Sequence, residues 1–268
     1  NLAGSPLRAD QAGLLCVDLL MSRLSNAPLQ EVIFEARWAL DTDQATGQEY
    51  DQKYSLAAGA LKAHVQERFP HVDQRLPFHP LTQHLFARQA VLQFRKEPGA
   101  SPLLQLGPGV FTVNDTDKNY DWQESYQPTL IYGLEMLEKA YDGTLPYEQV
   151  ALRYIDSVKV KDYGFTDWAS FISKHLRFGF ANQFDHGMVP KDVSFQQLFD
   201  LPDDDQLHLQ IGSGTDRDGD DRLIWQTTVQ RKGTFDRAGF GAWGNTAHDL
   251  SSKLFKDFCQ PDFHASFA

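Results

Sequence analysis

Six side chains in this sequence share a chemistry. If their segments fold as strands, they also share a surface. Glu35, Arg37, Gln93, Arg95, Gln105 and Arg153 hold comparable positions in four segments that alternate polar with apolar residues. A guanidinium is a planar fork that fits a carboxylate or a phosphate, and Glu and Gln beside it can orient the fork. Polar groups on a sheet face must be solvated, paired among themselves or occupied by a ligand. Internal pairing beneath the C-terminal half of the chain is the plain reading of this row. A site for an anion or a partner protein is the sharper one.

Other groups that could do chemistry fit known patterns poorly. Asp216-Arg217-Asp218-Gly219-Asp220-Asp221 resembles a calcium loop in composition, but its glycine falls at the fourth position and Thr227 stands where a bidentate Glu is needed. It reads as the solvated tip of a hairpin, and Asp203-Asp204-Asp205 reads as a turn. His64, His71, His79 and His84 cluster in sequence without a HExxH pair or a CxxC partner, so no metal is expected. His248 reads as a surface or satisfied core histidine. Gly107-Pro108-Gly109 lacks the GK[ST] of a phosphate loop and the GxGxxG of a dinucleotide fold, so no cofactor is expected. Cys16 and Cys259 are far apart and carry no nucleophile motif; they read as buried thiols.

The elements that must position the row follow from periodicity. Glu31–Leu40 alternates as a strand, with Val32, Phe34, Ala36 and Trp38 on one side. Residues 54–69 have the spacing of a helix stopped by Pro70. Residues 72–87, with Pro77 and Pro80, read as irregular. Residues 90–96 form a strand. Residues 103–114 read as a strand kinked, without leaving the sheet, by Gly107-Pro108-Gly109. Residues 124–141 form the clearest helix, and 147–160 contain a strand. The order strand, helix, strand, strand, helix, strand predicts a ferredoxin-like βαββαβ unit, with both helices on one face of an antiparallel sheet.

Beyond it, 165–178 reads as a helix, 181–190 as a loop and 195–201 as helix or strand. Residues 207–213 and 222–231 read as a hairpin, and a last helix is capped by Asn245. The fold class is therefore α+β. The expected division is an N-terminal extension, 1–27, with a helix over 9–24; the ferredoxin-like unit, 28–160; and a C-terminal α+β unit, 161–268, docked on it.

The totals narrow the function. A chain of 268 residues that is 41% apolar and 12% aromatic supports a sizeable core. A net charge of −11 opposes a phosphate backbone, which disfavours nucleic acid. No stretch reaches the ~18 apolar residues of a membrane span, and no secretory leader is evident, so a cytoplasmic location without membrane contact is expected.

Five spaced pieces carry a resemblance: Pro28-Leu29-Gln30-Glu31-Val32-Ile33-Phe34-Glu35-Ala36-Arg37-Trp38, Leu104–Asn114, Tyr120-Asp121-Trp122, Leu152-Arg153-Tyr154-Ile155, and Ala247-His248-Asp249 with Leu254-Phe255. In this order, over residues 28 to 262, the chain resembles a sporadically distributed family of bacterial proteins with no settled activity. The resemblance brings no catalytic residues. A patchy distribution fits mobile islands that carry anti-phage defence and toxin–antitoxin systems. The resulting expectation is a non-catalytic accessory subunit that contacts a protein partner or forms a homodimer, with the N-terminal helix as one contact. The alternative is an enzyme acting on a phosphorylated or nucleotide substrate at the junction of the two halves.

Overall fold

The first strand, β1 (Leu29–Trp38), alternates as its sequence demands. Val32, Phe34, Ala36 and Trp38 are buried, while Ile33, Glu35 and Arg37 are half-buried on the opposite side. The computed structural model describes residues 24–77, 79–143, 145–179, 191–235 and 237–268. The helix expected over 9–24 (all but its last residue), Cys16 and the loop expected over 181–190 lie outside the described residues.

The Gly-Pro-Gly segment is a full reversal and not a kink. After β2 (Asp41–Thr42), β3 (Glu49–Tyr50), β4 (His71–Gln74) and β5 (Leu92–Arg95), the strands β6 (Leu103–Gly107) and β7 (Val110–Asp115) form a tight hairpin in which Gly107 pairs with Val110. Pro108 presets its own φ, and Gly109 takes the left-handed φ of +72° that the turn requires. Gly107 is needed for space, because a Cβ there would run into the backbone carbonyl of Gln89. The segment 72–87, expected to be irregular, contains most of β4 and a 3-10 helix at Pro80–Phe86.

That reversal sets the topology. It places β7 antiparallel to β1, where a ferredoxin-like unit has a parallel neighbour. On its other side β1 pairs with β8 (Tyr147–Lys159). The later strands β9 (Ser194–Asp200), β10 (Asp205–Thr215) and β11 (Asp221–Phe235) continue the same sheet beyond β8. The result is one nine-stranded antiparallel sheet in the order β4-β5-β6-β7-β1-β8-β11-β10-β9. The pair β2–β3 stands apart.

The helices α1 (Tyr54–Val65), α2 (Gln127–Ala140), α3 (Trp168–His175), α4 (Arg237–Phe258) and α5 (Pro261–Ala265) bury their apolar residues in two clusters. One cluster joins α1, α2 and the first half of α4 to Phe34, Phe111 and Leu152. The other joins α3, α5 and the end of α4 to Val158, Leu209 and Trp225. Strand parity places all these sheet residues on one face. The expected helix over 124–141 is a π-helical turn, Trp122–Tyr126, running into α2, with the Asp121 carboxylate accepting from the Glu124 amide.

Asn245 does not cap the last long helix. The helix α4 starts at Arg237, through Gly239, Gly241 and Gly244, which weaken helix propensity and hid its start. Asn245 lies within it, and its side-chain oxygen accepts from Trp122 Nε1 and Gln127 Nε2, both at 2.8 Å. No helix among the described residues is long and apolar enough to cross a membrane.

Candidate functional site

The sheet face away from the helices is polar, and all six residues of the Arg/Glu/Gln row lie on it. The register forms a cross-strand line from Gln93 to Gln105, Thr112 and Glu35, and on through Ala151 and Gln230 to Gln206. Arg153 lies in the adjoining line, between Ile33 of β1 and Thr228 of β11.

The β5–β6–β7 end of the row is tied together. Gln93 Nε2 donates to Gln105 Oε1 at 2.7 Å, and Gln105 Nε2 donates to Thr112 Oγ1 and Asn114 Oδ1 at 3.0 and 2.7 Å. Asn114 Nδ2 passes the chain to Glu31 Oε1 at 2.7 Å. Arg95 donates to the Ala100 carbonyl at 2.6 Å and to Gln93 Oε1 at 3.3 Å. Arg37 Nε lies 2.8 Å from Glu35 Oε1. The plain expectation of pairing beneath the C-terminal half does not describe this arrangement. The pairing is within the row, and the C-terminal strands extend the sheet beside it.

Arg153 differs from Arg37 and Arg95 in its partners. The Nε atoms of Arg37 and Arg153 are both buried without a well-aligned hydrogen-bond acceptor, but Arg37 lies against Glu35, whereas among the described residues no carboxylate pairs with the Arg153 guanidinium. Beside it the polar surface continues across β11 and β10, where Gln226 Nε2 donates to Gln210 Oε1 at 2.8 Å and Gln230 Nε2 to Gln206 Oε1 at 3.0 Å. These residues were missed by the sequence reading of the row. Their alternation was visible, but nothing local said that their hairpin joins the same sheet.

A second constellation brings together three of the five spaced pieces. Tyr120 OH and Tyr154 OH lie 2.9 Å apart, and Tyr154 OH lies 2.7 Å from His248 Nδ1. The His248 ring lies flat on Trp122, with centroids 4.7 Å apart and planes 3° from parallel. Burial holds the His248 pKa below the usual histidine range despite the pull of Asp249 and Asp121, and burial drives both tyrosines up. At neutral pH all three groups are uncharged. Ring stacking and hydrogen bonds together make this a clamp between α4, β8 and the Trp122 turn.

The acidic tip is neutralised by its own neighbours. Lys159 Nζ lies 2.9 Å from Asp216 and 2.8 Å from Asp220, Lys161 reaches Asp220 at 2.5 Å, and Arg222 Nε reaches Asp216 at 3.2 Å. Hydrogen bonds from Lys159 hold both carboxyls below the usual range. The histidines expected to bind no metal are spread out: His64 in α1, His71 in β4, His79 just before the Pro80–Phe86 turn and His84 within it. Among the described residues no group of three or more His, Cys, Asp or Glu is arranged to hold a metal ion. Cys259 is buried, and burial with the nearby Asp156 pushes its thiol up to about 12, which leaves it a poor nucleophile.

Among the cavities on the described surface, two are notable. One of about 300 Å³ lies at the end of β9 and β10, lined by Asp200, Asp204, Asp205, Gln206, Gln230 and Lys232. The other, about 260 Å³, lies between the acidic tip and Trp168. The Arg153 surface belongs to neither. Comparison of the chain with family models, with curated proteins and with solved structures returned no match.

Proposed function

We propose that this chain is a non-catalytic binding subunit that acts in the cytoplasm, as part of a bacterial multi-protein system of the defence or toxin–antitoxin kind. Its helix-free sheet face docks a protein partner. The observation that supports this reading is Arg153. A guanidinium with no carboxylate beside it among the described residues, on a face where Gln, Thr and Asn side chains are tied to one another, fits a partner carboxylate that meets the outer edge of the fork. The surrounding Gln, Thr and Ile residues suit an interface better than a catalytic pocket, since they supply shape and hydrogen bonds without a nucleophile or a general base.

The test uses wild type, Arg153→Glu and, as a control, Arg217→Glu at the exposed tip. Each is immobilised against a lysate of the native host, and the captured component is then purified and titrated. The reading expects a protein held by wild type and by Arg217→Glu, with affinity at least tenfold lower for Arg153→Glu. Equal capture by all three refutes it. Binding of a phosphorylated small molecule that Arg153→Glu abolishes supports the enzyme reading instead.

A further inference from the structure

The two edges of the sheet are unequal. The β4 edge is four residues long and bears His71 and Asp73. The β9 edge is seven residues long and pairs with β10 in unbroken register. No described strand pairs with its other side. Leu198 is 59% exposed and Phe199 is 41% exposed. Edge strands are usually blunted by lysine, proline or a bulge, and β9 has none of these.

We propose that β9 pairs with β9 of a second copy of this chain, antiparallel, about a two-fold axis through Gln197. The surface is distinct from the Arg153 face. The sequence of the strand is complementary to itself in this register. Gln197 meets Gln197, Gln196 meets Leu198, and Phe195 meets Phe199, an aromatic cross-strand pair. Asp200, the one charged residue of the strand, meets Ser194. Sliding the register by two residues about Gln196 sets Phe195 against Gln197, and sliding it about Leu198 sets Phe199 against Gln197, so either slide loses the aromatic pair. Only the register about Gln197 keeps the Phe195–Phe199 pair, so that register is selected. Because the paired positions share parity, the helices of both copies lie on the same side, and the joined sheet keeps one polar face.

The test is the mass in solution by light scattering and sedimentation across a wide concentration range. Wild type is expected to form a dimer. Gln197 is exposed, so Gln197→Lys and Gln197→Asp leave the fold intact, as circular dichroism checks. Each variant alone sets two like charges on the axis and is expected to be monomeric. An equimolar mixture of the two is expected to dimerise again. A monomeric wild type overturns the proposal, whether the edge is bare or covered by this chain's own residues. Variants that dimerise like wild type place the contact elsewhere and overturn it too, and a mixture that stays monomeric overturns the register. Arg153→Glu is expected to leave the dimer unchanged, so this proposal and the partner-binding reading fail independently.

Discussion

Asp156 offers the sharpest test of the packing. It lies on the helix-facing side of β8, opposite Trp225 and Leu29, and is only 7% exposed. Burial raises its pKa to about 7. In the unfolded chain the value is about 3.9, so the shift is about three units, or about 4 kcal/mol at most. The sign follows from proton binding. Between the two pKa values the folded chain holds a proton that the unfolded chain releases. This contribution is therefore fully present below about pH 4 and is lost as pH rises through 7. Between pH 5 and pH 8 the loss is about 2–3 kcal/mol. Asp156→Asn removes the titration and keeps the shape. Its urea midpoint should rise relative to wild type as pH is raised from 5 to 8, and it should be the more stable protein at pH 8. The comparison cancels the titrating groups that do not interact with Asp156. Parallel pH profiles for the two proteins, or a less stable variant at pH 8, refute the claim that this carboxylate is desolvated.

Two further outcomes are expected. Gly107→Ala drives a methyl group into the Gln89 carbonyl and should lower stability by about 2–3 kcal/mol in urea unfolding, whereas a neutral result means that the 86–91 segment does not press on the hairpin. His175 is enclosed by Tyr163, Phe165, Phe171 and Phe263, its Nε2 has no partner, and burial lowers its pKa; its stabilising contribution should therefore be present above about pH 6.5 and fall away on acidification. Relative to His175→Phe, wild type should lose stability between pH 7 and pH 5, and a constant difference rules this out.

The longer strands and most helices were legible because their apolar spacing reports burial directly, whereas the short strands β2, β3 and β4 were not. The alternation in β1 is the clearest case, and the parity that put Glu35, Arg37 and Arg153 on one face follows from it. The topology was less legible, and the reason is local. Gly107-Pro108-Gly109 is compatible with a kink or with a turn, and that choice decides whether β1 gains a parallel or an antiparallel neighbour. Nothing local told the hairpin of β10 and β11 to join the first sheet. That pairing is fixed by contacts such as Leu152 opposite Val229, far apart in sequence. The start of α4 was hidden because three glycines weaken propensity where Phe240 and Trp243, buried against the core, override it. The Tyr120–Tyr154–His248 clamp was missed for the same reason, since its members come from three distant segments.

The two apolar clusters could have been separate folding units, and the strands decide otherwise. β8 gives Leu152 to one cluster and Val158 to the other. β11 gives Val229 and Trp225, β10 gives Leu207 and Leu209, and α4 spans both with Trp243 and Phe258. Four continuous elements thus act as rigid bars through both hydrophobic regions. Opening one region pulls on hydrogen-bonded backbone that the other holds in place, so the shared strands and α4 couple the two regions mechanically.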